Sequence, residues 1–392
     1  MTPLDSGAAG QDYNDFVHVG PQTLAGRYLR HFWHPVLRGE DLPAGRAMPL
    51  RTLGEDFTLY RGTGGRAHAV AYRCAHRGTQ LSTGWVEDDA IRCFYHGWKY
   101  DGAGQCVEQP AEDVGFAAKT RIRSYPTAEY LGLVFAYFGE GAAPELPRYP
   151  EFEDERQGVR EVYTYAWPCS YFNALENDSF HGIWVHRESY VASGRTGIPV
   201  VECEETGYGY VTRARRPEAT HWAESQSHFL MPNVSHGTRT APELGRDSWR
   251  DALTWRVPVD DEHFATYGVN MTHVAGEARA RYEQSLLDRA ERLKTLERPE
   301  PLAKRVLKGE LRIADIEDRH ADYGRLFNIQ DYVAQVGQGV FACQNDEHLG
   351  REDVEVILLR KLYRREMRAL AEGQPLTAWQ RPDRLSVHMA AV

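Results

Sequence analysis

Four residues toward the N-terminal end of the chain have types and spacing suited to metal binding. Cys74 and His76 stand in C-A-H-R-G-T-Q, and Cys93 and His96 in C-F-Y-H-G-W-K-Y, so each of two short segments offers one thiolate and one imidazole. Zinc accepts two cysteines and two histidines, but its usual frames pair cysteine with cysteine and histidine with histidine. A mixed pair on each segment suits a two-iron, two-sulfur cluster in which one iron keeps both thiolates and the other takes both imidazoles, an arrangement that raises the reduction potential. Gly78 and Gly97 follow each pair, letting the backbone turn tightly and bring amide groups toward the sulfurs. The cluster is therefore preferred over zinc.

A second constellation lies in N-A-L-E-N-D-S-F-H-G-I-W-V-H, which carries Asp178, His181 and His186. Two histidines and a distant carboxylate make the facial triad of a mononuclear iron(II) site, with positions left open for dioxygen. On an ideal helix five residues advance about 500°, leaving His181 and His186 about 140° apart, so both reach one metal only if the helix ends or bulges near Gly182. Asp178 and His181, three apart, face the same way. The competing reading is a pair of helix-end histidines bonded to backbone. For the distant carboxylate, Asp331 in F-N-I-Q-D-Y-V-A-Q-V-G-Q-G-V-F is the one charged residue between Arg325 and Asp346. A carboxylate in so neutral a helical segment requires a cation, either a metal or an arginine such as Arg325.

With both constellations in view, the chain from about residue 17 to the last helix resembles the oxygenase α subunits of Rieske non-haem iron oxygenases, in the phthalate dioxygenase-like branch. C-x-H-R-G and C-x-x-H-G-W-K-Y-D carry the resemblance, with Ala75 where the family writes proline. It implies a Rieske two-iron, two-sulfur cluster on Cys74, His76, Cys93 and His96, mononuclear iron(II) on His181, His186 and Asp331, and Asp178 as the link for electrons between them. It also implies a flavin/iron–sulfur reductase or ferredoxin as electron donor, NAD(P)H consumed through that reductase, dioxygen and a small aromatic substrate, and a homotrimer arranged head to tail. Hydroxylation of a methoxy carbon with loss of formaldehyde and hydroxylation of the ring both stay open, and the rival from another class is a Rieske electron carrier with a non-catalytic binding domain. The family often carries N-x-x-D before the first iron histidine; Leu175 stands at that place here, with Asn173 and Asn177 offset.

The surrounding chain must position these groups. Its 392 residues are 42% hydrophobic and 11% aromatic, enough for two domains with large cores. A net charge of -10, from 46 Lys+Arg against 56 Asp+Glu, argues against a nucleic-acid binder. No apolar run reaches membrane-spanning length and the first residues lack a basic start, so a cytoplasmic protein is expected. Cys106, Cys169, Cys203 and Cys343 have no framework of spacings and are expected as reduced thiols. Leu24, Tyr28 and Phe32 recur at helical spacing in a segment expected to pack on the catalytic domain (residues 1–35), where His31 and His34 are structural. Short apolar runs cut by Gly, Pro and Asp predict an all-β cluster domain over 36–150 with metal pairs at hairpin tips. P-E-L-P-R-Y-P-E-F-E-D-E-R marks the boundary to a catalytic domain over 151–392. There, alternation over 200–275 predicts an antiparallel sheet with one face buried, followed by a solvated helical excursion over 276–310 broken at Pro299 and Pro301. A terminal helix with Val354, Leu358 and Leu362 as its stripe stops before Gly373 and Pro375. The fold class is thus α+β, helix-grip-like in its second part. Trp184, Asn233 and Asn270 are candidate pocket walls, and Arg73, Arg77, Arg92 and Lys99 a candidate positive patch around the cluster.

Overall fold

The computed structural model of the chain describes residues 12–177, 184–187, 197–217, 222–241, 243–245, 248–317, 322–341 and 347–385. Thr23 caps α1 (Leu24–Leu29) by accepting a hydrogen bond from Gly26 N at 3.1 Å. Phe32 lies beyond that helix, and its ring meets Tyr28 edge-on at 5.1 Å. His34 is fully buried with Nε2 2.8 Å from Leu29 O, and His31 Nδ1 stands 3.0 Å from Arg27 O, so both serve the backbone.

Three antiparallel sheets follow. In the first, β1 (Trp33–Arg38) pairs with β11 (Leu133–Tyr137), which pairs with β10 (Thr127–Tyr130). The second runs β2 (Ala47–Thr52), β3 (Glu55–Arg61), β4 (Ala67–Ala71) and β9 (Ser124–Tyr125). The third is a meander of β5 (Trp85–Glu87), β6 (Ala90–Arg92), β7 (Lys99–Asp101) and β8 (Cys106–Glu108). Two-residue hairpin turns close β2–β3 at Leu53–Gly54 and β10–β11 at Leu131–Gly132, left-handed at both central positions, which matches the twist of the flanking strands. Cys93 and His96 sit at the tip of the β6–β7 hairpin. Cys74 and His76 lie in the connection from β4 to β5, at the tip of a hairpin-like turn closed by the antiparallel bridge between Arg73 and Gln80.

Beyond residue 158 a seven-stranded antiparallel sheet dominates the described residues, in the order β12 (Val159–Trp167), β18 (Phe264–His273), β17 (Trp249–Pro258), β16 (Val234–Thr240), β15 (Trp222–Leu230), β14 (Gly209–Pro217) and β13 (Val200–Thr206). Its central strands are covered on both faces rather than one. Leu253, Trp255, Val257, Tyr267 and Val269 pack against Tyr130, Leu133, Phe135, Tyr149 and Phe152 from the first sheet and the linker. On the other face Trp167 and Phe264 join Tyr332, Tyr363 and the N-terminal Phe16 and Tyr28 in one core cluster.

Helices complete the α+β fold. α2 (Tyr171–Leu175) is buried along its length. α3 (Gly276–Lys294) buries Tyr282 alone among its residues, and α4 begins at Pro299 (Pro299–Leu307), so the excursion is solvated as its charge pattern suggests. α5 (Tyr323–Gly337) covers the sheet, and α6 (Val354–Ala371) ends before Gly373. The buried face of α6 is Glu355, Val356, Leu359, Leu362, Tyr363, Glu366 and Met367, a stripe rotated from the expected one. It includes glutamates because Glu366 accepts from Thr377 N at 3.0 Å and from the Thr377 hydroxyl at 2.5 Å. Cys106, Cys169 and Cys203 are free thiols, whereas Cys343 lies outside the described residues. Among the described residues, no helix is long and apolar enough to cross a membrane.

Candidate metal centres

The two cluster segments fold alike. Cys74 N donates to Thr79 O at 2.8 Å and Gly78 N to Cys74 O at 3.0 Å; Cys93 N donates to Trp98 O at 2.8 Å and Gly97 N to Cys93 O at 3.0 Å. Gly78 (φ 74°) and Gly97 (φ 75°) take the left-handed conformation that closes each turn, one that a side chain would strain. These turns bring both sulfurs inside, with Cys74 and Cys93 buried, and set the His76 and His96 rings 4.5 Å apart. Trp98 stacks on His76 at 4.6 Å and 7°, fixing that ring. His76 Nδ1 is buried and makes no hydrogen bond among the described residues, as a nitrogen reserved for a metal would. Tyr100 places its hydroxyl 3.2 Å from Cys74 Sγ. Two buried sulfurs facing two adjacent imidazoles fit a two-iron, two-sulfur cluster with mixed ligation.

The second centre is built by helices locked to one another. Ser170 N donates to Val340 O at 2.8 Å, and the Asn173 carboxamide to Gly339 O at 3.1 Å, which ties α2 to the chain just past the C-terminus of α5. Arg360 on α6 grips Glu176, at the end of α2, at 2.9 Å and Glu347 at 2.6 Å. Burial pushes the Glu176 carboxyl up, against the pull of Arg360. The segment leaving α2 is thereby anchored where residues 178–183 begin.

His186 and Asp331, far apart in sequence, meet in the fold. His186 Nε2 stands 3.0 Å from Asp331 Oδ1. Asp331 Oδ1 is buried and accepts no hydrogen bond among the described residues, so the two atoms approach without hydrogen-bond alignment. Two ligand atoms each about 2.1 Å from one metal and about 90° apart stand about 3.0 Å from each other. The pair therefore fits adjacent positions on a metal. His186 Nδ1 lies 2.8 Å from Gln330 Oε1, and Phe327 packs on the ring at 3.9 Å. Arg325, the rival partner for Asp331, is directed at Glu297 O, at 2.5 Å. Asp178, His181 and Gly182 lie outside the described residues. Among the described residues no three His, Cys, Asp or Glu side chains converge on one metal ion. A two-iron cluster asks for only two protein ligands per iron, and His181 lies outside the described residues.

Comparison with known proteins agrees with the first centre. Residues 32–126 match the model of the Rieske [2Fe-2S] domain. The chain is 29% identical over 384 residues to the 5,5'-dehydrodivanillate O-demethylase oxygenase subunit of Sphingobium sp. (strain NBRC 103272 / SYK-6), covering 93% of this chain and 81% of that protein. It is 26% identical over 376 residues to the phthalate 4,5-dioxygenase oxygenase subunit of Pseudomonas putida, covering 89% and 84%. The chain is a Rieske non-haem iron oxygenase α subunit. Its fold matches the terminal oxygenase of carbazole 1,9a-dioxygenase from Novosphingobium sp. KA1 with a TM-score of 0.63 at 18% identity, over 90% of this chain and 94% of that one.

In this Rieske oxygenase the expected positive patch is halved. Arg92 donates to Glu87 at 2.7 Å and to Glu108 at 2.7 Å, and Lys99 pairs with Glu87 at 3.1 Å. Arg92 and then Lys99 hold the Glu87 carboxyl down to about 2. Arg73 and Arg77 remain beside the loops, over the rings of Tyr72 and Tyr95. Among the candidate wall residues, Asn233 is structural: it is buried, with its carboxamide donating to Arg256 O at 2.7 Å. Trp184 is exposed and lines a cavity of about 270 Å³ with Val185, Gln330 and Val333.

Asn270 shares one face of the sheet with Tyr163, Tyr165, Thr266 and Arg256, because Tyr165 pairs with Thr266 and Thr266 with Arg256. Trp167, on the same face, meets Tyr332 of α5 edge-on at 5.5 Å. Burial raises the Tyr165 phenol, Arg256 opposes that rise, and Asp331 adds to it, so the Arg256 guanidinium and the Asp331 carboxylate act on one ring. Sequence reading passed over Trp98, Tyr100, Gln330 and Arg256. The first two stand inside the motif C-F-Y-H-G-W-K-Y itself; the others become visible only once the strands and helix are paired.

Proposed function

We propose that this oxygenase hydroxylates an aromatic acid, with oxidative O-demethylation of a methoxylated ring as its reaction; ring hydroxylation of the phthalate type is the alternative. The observation that carries an oxygenase site in the second domain is the 3.0 Å approach of His186 Nε2 to Asp331 Oδ1, with that oxygen buried and accepting no hydrogen bond among the described residues. In this reading Cys74, Cys93, His76 and His96 hold the cluster, His181, His186 and Asp331 hold iron(II), and Asp178 links the two. The cluster would supply electrons singly and the iron would activate dioxygen beside the substrate.

The chain's own residues shape the rest. Tyr163 and Tyr165 present nearly parallel rings, 6.4 Å apart at 12°, as a wall for a flat substrate. Arg256 brings a fixed positive charge to the same wall, which supports a carboxylated ring, since a guanidinium matches a carboxylate with two parallel hydrogen bonds. The name of the relative from Sphingobium supports a methoxylated ring, and that from Pseudomonas putida the alternative. Electrons would come from NAD(P)H through a flavin/iron–sulfur reductase or a ferredoxin; one solved structure of like fold holds an oxygenase with its ferredoxin.

The test is turnover with a reductase and a panel of aromatics bearing methoxy groups, carboxylates, both or neither. Formaldehyde released in step with oxygen uptake, from members bearing both groups, is the expected result. Ring-hydroxylated product without formaldehyde would select the alternative. Equal turnover of members with and without a carboxylate would remove the aromatic acid from the proposal.

A further inference from the structure

Three residues of α5 surround the His186 ring. Phe327, Gln330 and Asp331 stand at i, i+3 and i+4, the spacing that puts side chains on one face of a helix. Phe327 packs on the face of the imidazole at 3.9 Å between centroids, Gln330 Oε1 reaches Nδ1 at 2.8 Å, and Asp331 Oδ1 lies 3.0 Å from Nε2. Gln330 is buried, so its carboxamide has little water to turn to. One helical turn thus touches the ring at its face and at both nitrogens.

We propose that Gln330 is the positioning residue of the iron-binding imidazole: its amide oxygen accepts the proton of His186 Nδ1, which leaves Nε2 as the lone-pair nitrogen aimed at the metal shared with Asp331. This rests on the reading of His186 and Asp331 as iron ligands. A neutral imidazole has one donor and one acceptor nitrogen, and the hydrogen bond made by one decides the role of the other. Partners behind a metal-bound histidine are commonly carboxylates or carbonyls. Gln330 supplies a carbonyl without a charge, so the ring is oriented while no further negative charge is added beside Asp331. Because positioner and ligand are consecutive on α5, a shift of that helix moves both together.

The experiment is titration of Co(II), followed by its visible ligand-field bands, and of Fe(II), followed by bound iron, into protein that keeps its cluster but has been stripped of mononuclear metal. Gln330→Met preserves length and packing but removes the acceptor; it is expected to weaken metal binding ten- to hundredfold, the range found when such partners are removed. The cluster spectrum should not change. Gln330→Glu restores an acceptor and is expected to bind within a few-fold of the unaltered protein, which a packing role alone would not produce. Wild-type affinity in Gln330→Met overturns the proposal. His186→Ala separates the layers: if it still binds stoichiometric metal, the underlying ligand assignment fails. If it loses metal while Gln330→Met does not, only the role of Gln330 fails. Nitrogen NMR of the zinc-loaded protein supplies a check without substitution: the His186 proton must be found on Nδ1, and a proton on Nε2 overturns the proposal.

Discussion

The hydroxyl of Tyr100 stands 3.2 Å from Cys74 Sγ and accepts from Ala75 N at 3.2 Å. With the thiolate bound to iron, that hydroxyl can only donate to sulfur, and a donor at a ligand sulfur favours the more electron-rich, reduced cluster. A hydrogen bond of about 1–1.5 kcal/mol corresponds to about 43–65 mV for one electron. Tyr100→Phe is therefore expected to lower the cluster potential by about that amount with cluster content unchanged. A redox titration followed by electron paramagnetic resonance measures it, and an unchanged potential refutes it. Residues of this kind were half legible. Cys74, His76, Cys93 and His96 could be read because each pair spans a few residues and a tight turn. Asp331 stood out because charge is scarce around it. Gln330 could not, since its partner His186 is 144 residues away and nothing in Q-D-Y marks the glutamine.

At the scale of elements, β16, β17 and β18 share a buried charge that their alternation did not announce. Asp251, fully buried on β17, lies 2.9 Å from His273 on β18 and 3.4 Å from His236 on β16, and accepts from Thr238 at 2.6 Å and Trp249 at 3.1 Å. Burial pushes its carboxyl up, yet His236, His273 and Thr238 outweigh it and hold the carboxyl well below the usual range. A group depressed in the folded state stabilises at pH values above its unfolded pKa of about 3.9 and loses that contribution as pH falls through and below it. Asp251→Asn is expected to destabilise the sheet by about 3 kcal/mol at pH 7, as when one partner of a buried pair is removed. Urea unfolding followed by tryptophan fluorescence should show the gap to the unaltered protein intact at pH 5 and shrinking only below about pH 4. A gap that does not shrink below pH 4 would refute the assignment to the Asp251 carboxylate. The strands themselves were legible from alternation, as were the solvated α3 and the break at Pro299. The second covered face of the sheet was not, because polar residues such as Asp251 and His236 stand where a buried strand would be read as apolar. The terminal stripe on α6 was misplaced for the same reason: Glu355 and Glu366 point inward.

At the scale of the molecule, large aromatic side chains are exposed beside the cluster and beside Gln330 among the described residues. Trp85, Phe94 and Tyr95 are each more than half exposed beside the cluster histidines, with Tyr95 against His96 at 3.8 Å and Trp85 meeting Phe94 at 6.4 Å. Near the other centre Trp184 is exposed, lining one cavity with Gln330. Within one chain the cluster domain has its own core around Tyr60, Ile91, Trp98 and Tyr100, separate from the core that holds Trp167 and Tyr332. Large apolar side chains clustered at the surface mark contact sites. Two different surfaces on one chain suit a heterologous contact, in which each chain offers its cluster face to the iron face of the next, and such contacts close into a ring when the rotation allows. This supports the homotrimer, with electrons crossing between chains through Asp178. Buried aromatic anchors typically cost about 2 kcal/mol or more when truncated, so Phe94→Ser is expected to weaken each contact about thirtyfold or more. Light scattering over a dilution series should show three chains per particle in the unaltered protein and smaller species in the variant at low concentration. Single-turnover oxidation of the reduced cluster, with substrate and oxygen present, should slow as the particles dissociate, while the cluster potential stays fixed because Phe94 is no ligand. A monomer that transfers electrons at the full rate would show instead that both centres serve each other within one chain.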